Sequence, residues 1–130
     1  MSDAADRYRR LSERFAALVA AVPADRWSSP SPCEGWTALD VVRHVVDSHG
    51  LFEGLAGRPM ELPEVDPDPL AAFRQVSEVV QADLEDSDRA SVAWDGYFGR
   101  TTFEEGIDRF LSLDLVVHGW DLARATGGDE

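Results

Sequence analysis

Two aspartates and two histidines stand where a helix face calls for apolar residues. In the segment DRFLSLDLVVHGWDLARATG, Ile107, Leu111, Asp114, His118, Asp121 and Ala125 recur three or four residues apart. At about 100° per residue they share one narrow stripe, flanked by Phe110, Val117 and Leu122. Asp114 and His118 are spaced i and i+4, so a carboxylate and an imidazole can reach the same ion. An earlier segment offers a partner, because His44 falls on the side of Val41, Val45, Ser48, Phe52 and Leu55. Where the two faces meet, His44, Asp114 and His118 make a set of two histidines and one carboxylate. Such a set leaves coordination positions open for water or substrate, as in a reactive centre and unlike a closed structural one. A buried carboxylate without compensation costs several kcal/mol, and one divalent cation compensates all three groups. The blander reading is a set of core polar residues satisfied by hydrogen bonds, and the residues alone leave both readings open.

Other polar and aromatic residues are read against that set. Asp121, one turn beyond His118, either accepts a hydrogen bond from a ligand histidine and orients it, or caps and pairs within the bundle. His49 lies about 140° round the helix from His44, so it is expected to be exposed or beside the site and not a ligand. Cys33 precedes His44 by eleven residues. That is ~16 Å along a helix axis, a poor position for sharing the cation, and a buried structural thiol is expected. Trp36 and Trp120 are expected to pack. The stretch WDGYFGR, Trp94 to Arg100, leads into the ligand-bearing helix and is expected to shape a pocket mouth or to cover the bundle end. Arg43 and Arg124 neighbour the ligands, and solvated surface positions are expected for both, with reception of an anionic substrate as the alternative.

Four helices must position these groups. Tyr8, Leu11, Phe15, Leu18 and Val22 give the first, from about Ala4 to Val22, stopped by Pro23. The stretch WSSPSPCEG reads as loop. Thr37 and Asp40 form a capping-box pattern, with Trp36 placed to staple onto Val41, and open a second helix from Ala38 to about Ala56 that ends at Gly57. Four prolines in RPMELPEVDPDP make a connection. Asp68 as cap and Pro69 as first residue then open a third helix carried by Leu70, Phe73, Val76, Val80 and Leu84, with an indistinct end near Glu85. After a second long connection, Thr102 and Glu105 open a last helix from Phe103 to about Thr126, with Gly127 and Gly128 as its stop. Strand alternation is hard to find. The expected fold is all-α, a four-helix bundle with long crossover connections.

Composition narrows the function classes. The chain has 130 residues, 44% of them hydrophobic, with six Phe, four Trp and two Tyr. This is the length of one ordinary domain, so a single helical domain over 1–130 is expected. Asp and Glu number 25 against 12 Lys and Arg, a net charge of −13 with a pI near 4.4. Phosphate backbones and anionic membranes are therefore poor partners. No run of ~18 apolar residues is present, and MSDAADRYRR lacks the apolar core of a secretory signal. One cysteine makes no internal disulfide, and a cytoplasmic location is expected.

Two stretches, PSPCEGWTALDVVRHVVDSHGLFEGLAG and FGRTTFEEGIDRFLSLDLVVHGWDLARATG, carry a resemblance. A PCxGW motif followed by a helix histidine, paired with DLxVHxWDLAxATG, resembles the actinobacterial metal-binding proteins related to the N-terminal domain of mycothiol-dependent maleylpyruvate isomerase. These belong to the wider DinB-like superfamily. The resemblance covers nearly the whole chain. It implies a four-helix bundle that holds a divalent metal, commonly zinc or nickel, through His44, Asp114 and His118. It also implies chemistry on thiol cofactors, in which the metal holds a small thiol such as mycothiol as a thiolate that attacks an electrophile.

Two departures limit the transfer. The chain stops three residues after the ATG of the last helix, where relatives continue and the isomerase adds a second domain. Isomerase activity itself is not expected, and a homodimer is one way to complete the pocket. Asp114 also stands where the isomerase carries Glu, so its helix must approach the metal more closely or bind it through water. The expectation is a thiol-dependent S-transferase acting on a small electrophile, its partners a small-molecule thiol and that substrate. The alternatives are a metal-dependent hydrolase or lyase and a non-catalytic, metal-stabilised binding module.

Overall fold

Helix-stabilising caps recognisable in the sequence set the observed boundaries. In the computed structural model, the described residues are 3–96 and 99–127. α1 spans Asp3–Ala20 and is followed by a short 3₁₀ turn, Ala24–Arg26. α2 spans Ala38–Leu55, opened by the expected capping box. The Asp40 N–H donates to the Thr37 hydroxyl at 3.2 Å, and the Thr37 N–H donates to the Asp40 carboxylate at 3.0 Å. A cap of this kind contributes about 0.5–2 kcal/mol. α3 spans Pro69–Glu85, with Asp68 accepting from the Ala71 N–H at 3.0 Å. Its end is sharp, because Asp86 leaves the helix in extended conformation and caps the short α4, Ser87–Ala90.

A short hairpin then interrupts the otherwise all-α bundle. Ala93–Gly96 and Gly99–Thr102 form an antiparallel hairpin, β1 and β2, with Trp94 opposite Thr101 and Asp95 opposite Arg100. Trp94, Asp95, Gly96, Gly99 and Arg100 of WDGYFGR thus lie in paired strands, and Tyr97 and Phe98 lie outside the described residues. The expected continuous last helix is divided as well. α5, Phe103–Gly106, opens at Thr102, passes into a π-helical turn, Ile107–Leu111, and continues as α6, Ser112–Thr126. In a regular α-helix each step of four residues rotates by about 40°, whereas the wider π turn holds such a series on one face. Phe103, Ile107, Leu111 and Leu115 accordingly all face the core. Arg7 of α1 clasps the π turn through Asp108, with Nε 2.9 Å from Oδ1. Gly127, at φ 77°, ends α6 in the left-handed conformation that favours glycine, while Gly128 lies outside the described residues.

α1 and α2 each pack on both α3 and α6, so those two lie across the bundle from one another. The connections 21–37 and 86–102 are therefore crossovers, as expected of a bundle that is not a simple up-and-down array. Tyr8, Phe15, Val42, Val46, Phe73, Val76, Val80, Leu111 and Leu122 fill the centre. Phe15 and Phe73 meet with ring centroids 4.8 Å apart. Each such fully buried side chain contributes about 1.5–3 kcal/mol. Among the described residues, no helix is long and apolar enough to cross a membrane.

Candidate metal centre

α2 and α6 bring the three expected ligands together. His44 Nε2 lies 3.4 Å from Asp114 Oδ2, and His118 Nε2 lies 3.1 Å from Asp114 Oδ1. The two imidazole centroids are 4.7 Å apart and nearly perpendicular. One ligand atom from each of His44, Asp114 and His118 lies within 4.8 Å of the others. The geometry also tests whether a cation fits. Asp114 Oδ2 is buried and makes no hydrogen bond among the described residues, although the His44 imidazole faces it. A carboxylate oxygen withdrawn from water without a donor is destabilising, and a divalent cation held by these three residues would supply the missing partner. The donor set is chemically suited to such an ion.

Asp121 fixes which ring nitrogen of His118 is available. Its Oδ2 lies 3.0 Å from His118 Nδ1, so Nδ1–H donates to the carboxylate and Nε2 is directed at Asp114. Asp121 is 5% exposed. Burial opposes a charge on His118, but the hydrogen bond and charge of Asp114, joined by Asp121, outweigh it and raise the imidazole pKa above its ordinary value.

Cys33 departs from its expected place. Separation along the chain overstated its distance from the centre, because the loop folds back over α6. The Ser31 N–H donates to the Trp36 carbonyl at 2.9 Å, the Trp36 N–H to the Cys33 carbonyl at 3.0 Å, and Gly35 turns at φ 80°. Cys33 Sγ thereby donates to Asp121 Oδ2 at 3.3 Å and is only half-buried. Burial, with the hydrogen bond and charge of Asp121, pushes the thiol pKa up. The same loop lays Trp36 against the site, its ring centroid 5.0 Å from His44 and 6.3 Å from His118. Trp36 is thus a wall of the centre and not simply a packing residue. It joins Asp40, Arg43, His44 and Asp47 in lining an open cleft of about 320 Å³.

Arg43 keeps its expected surface position, its side chain 41% exposed, and pairs there with Asp40 and Asp66. Trp120 is 43% exposed, with the Arg124 guanidinium 5.3 Å from its ring centroid, so it departs from the packing expectation.

His49 overturns its expectation most fully. It is 0% exposed, with Nδ1–H donating to the Val45 carbonyl at 2.7 Å and Nε2 accepting from the Tyr8 hydroxyl at 2.7 Å. Burial pulls its pKa down to about 4, so the ring is neutral. A second buried group has no counterpart in the sequence reading. Arg58 Nε lies 3.2 Å from both Glu53 Oε1 and Asp83 Oδ2, and Arg89 Nη1 lies 2.8 Å from Asp83 Oδ1. Burial, with the hydrogen bond and charge of Asp83, pushes Glu53 up to about 8. Burial opposes ionisation of Asp83, but Glu53, Arg89 and Arg58 together hold its carboxyl below the ordinary range.

A crossed four-helix bundle whose second and last long helices meet at a histidine-carboxylate cluster is a DinB-like helical domain. The chain belongs to the family described as the mycothiol maleylpyruvate isomerase N-terminal domain, whose pattern matches residues 8–123. It is similar to two uncharacterised proteins from two strains of Mycobacterium tuberculosis. Each is 34% identical over 123 residues, which cover 92% of this chain and 65% of the relative. The chain thus spans just under two thirds of the length of these relatives. No solved structure matches it at a significant level.

Proposed function

We propose that the chain binds a divalent metal, zinc or nickel in class, through His44, Asp114 and His118, and acts as a thiol-dependent S-transferase on a small electrophile. The observation that carries the metal reading is the orphaned Asp114 Oδ2 facing His44, inside a set of ligand atoms that lie within 4.8 Å of one another. The thiol part rests on membership of a family named for mycothiol. A cation bound there supplies Lewis acidity, which lowers the pKa of a thiol so that a nucleophilic thiolate is available near pH 7.

The chain's own groups divide the remaining work. Asp121 accepts the Nδ1 proton of His118 and keeps Nε2 aimed at the centre. Trp36 packs beside the two imidazoles on one side. Asp40, which pairs with Arg43, holds that guanidinium at the wall of the cleft that His44 also lines.

The test has two readouts. Elemental analysis of purified protein should give close to one equivalent of metal, lost in His118→Ala. The metal-loaded protein should consume mycothiol with a bimane halide, and His44→Ala should not. Negligible metal in both wild type and His118→Ala ends the metal reading. Retained metal without thiol consumption ends the transferase reading and leaves hydrolysis or binding.

A further inference from the structure

His118 presents a ligand atom to each of two sets. Nε2 faces Asp114 and His44, while Nδ1 faces Asp121, whose Oδ2 also accepts from Cys33 Sγ at 3.3 Å. One ligand atom from each of Cys33, Asp121 and His118 lies within 4.8 Å of the others. The lone pairs of the two ring nitrogens diverge, so no single cation touches both. We propose that Cys33, Asp121 and His118 form a second metal site, selective for thiophilic divalent cations, which takes the His118 ring from the first set when it is filled.

Geometry favours a built site over an incidental contact. Around a tetrahedral zinc, sulfur-to-oxygen and oxygen-to-nitrogen edges are roughly 3.3–3.6 Å. The observed separations of 3.3 and 3.0 Å need only a few tenths of an ångström of expansion. Asp121 is 5% exposed and fixed on α6, and Cys33 sits in the loop closed by Ser31, Trp36 and Gly35. Sulfur makes the second set softer than the first, whose donors are nitrogen and oxygen only, so the two sets sort cations by type.

The protons balance without any redox step. Starting from the neutral ring with its proton on Nδ1, cation binding releases the Cys33 thiol proton to solvent. The ring proton transfers to Nε2, where Asp114 Oδ1 at 3.1 Å accepts its hydrogen bond. One proton leaves per cation, and Nε2 no longer serves the first set. Occupancy of the second site thereby switches the first one off.

The experiment uses the full chain, stripped of metal and titrated with Cd²⁺ or Co²⁺ alone. Cys33 is the one cysteine in the sequence, so a thiolate-to-metal charge-transfer band in the ultraviolet reports it directly. Wild type and His44→Ala should both give the band, and Cys33→Ser should lose it while keeping its His44-dependent Zn²⁺ equivalent. Wild type loaded with Cd²⁺ should also lose thiol-transfer activity, and Cys33→Ser should resist that loss. Circular dichroism checks that each variant is folded, and Asp121→Asn should weaken the band if Cys33→Ser does not fold. No band in wild type at saturating Cd²⁺ overturns the proposal and leaves Cys33 as a hydrogen-bond donor only. Conversely, a band in His44→Ala with no His44-dependent metal in wild type sustains this site and removes the first.

Discussion

Asp121 Oδ2 stands 3.0 Å from His118 Nδ1, on the side of the ring away from the nitrogen that faces Asp114. The carboxylate therefore decides how His118 is presented to the centre. Asp121→Asn keeps the shape but loses the charge that favours Nδ1–H, and an amide turned the wrong way donates where it should accept. Zinc affinity should fall ~10–100-fold, the usual cost of removing such a partner, with little change in the fold. Competition against a chromophoric chelator measures it, and unchanged affinity would show that His118 needs no orienting group.

A proton would compete with the proposed cation at His118. The pKa of the metal-free ring lies above its ordinary 6.5, because Asp114 and Asp121 outweigh the effect of burial. Below that raised pKa both ring nitrogens carry protons, and a cation must displace the one on Nε2. Apparent zinc affinity should therefore rise about tenfold per pH unit while the ring titrates, and level off above its pKa. Asp121→Asn should move the levelling point to lower pH. Calorimetric titrations across the pH range check both statements, and a profile already flat below pH 6.5 would contradict the raised pKa.

His49 ties pH to stability with the opposite sign from a clamped histidine. Its folded pKa is about 4 against 6.5 in the ordinary state, so between those values the unfolded chain binds the extra proton. Stability contributed by the neutral ring is present above pH 6.5 and is lost as pH falls towards 4. The full loss is on the order of 3 kcal/mol. Tyr8→Phe leaves Nε2 without its donor and should cost about 1–3 kcal/mol at pH 7. Urea unfolding at pH 4.5, 5.5 and 7 reads both, and equal stability across that series would refute the neutral core imidazole.

The same two histidines mark where sequence reasoning succeeded and where it stopped. Caps at Thr37, Asp68 and Thr102 and the i, i+4 pair on α6 depend on local spacing, so they were legible. On α2 the sequence spacing centres the apolar face near His44, and the structure centres it elsewhere. The buried series runs through Val42, Val46, His49 and Glu53, steps of three and four with His49 in the middle, and His44 sits on its flank towards α6. Centring on that series would have flagged Glu53, and Asp83 beside Val76 and Val80 on α3 by the same test. The place of Cys33 is not legible for a different reason. Its position depends on a loop closing through Ser31 and Gly35, and loop closure is not a distance along a helix axis.

Glu53 gives the remaining prediction. Its carboxyl titrates at about 8 against an ordinary 4.5, raised by burial and by Asp83. Between these values the native state holds a proton that the unfolded chain has lost. The stabilising contribution is therefore full below pH 4.5, and it is lost as pH rises through 8. Glu53→Gln keeps a donor for Asp83 and an acceptor for Arg58 but cannot ionise. Relative to wild type, the variant should gain stability steadily from pH 5 to 8 and be the more stable protein at pH 9. Glu53→Ala tests a different quantity, since it leaves the Arg58 guanidinium short of a partner and opens a cavity, and it should be destabilised at every pH. Thermal melts at pH 5, 7 and 9 separate the two variants. Parallel profiles for wild type and Glu53→Gln would mean that Glu53 is ionised in the fold throughout, with Arg58 as its counter-ion and no proton shared with Asp83.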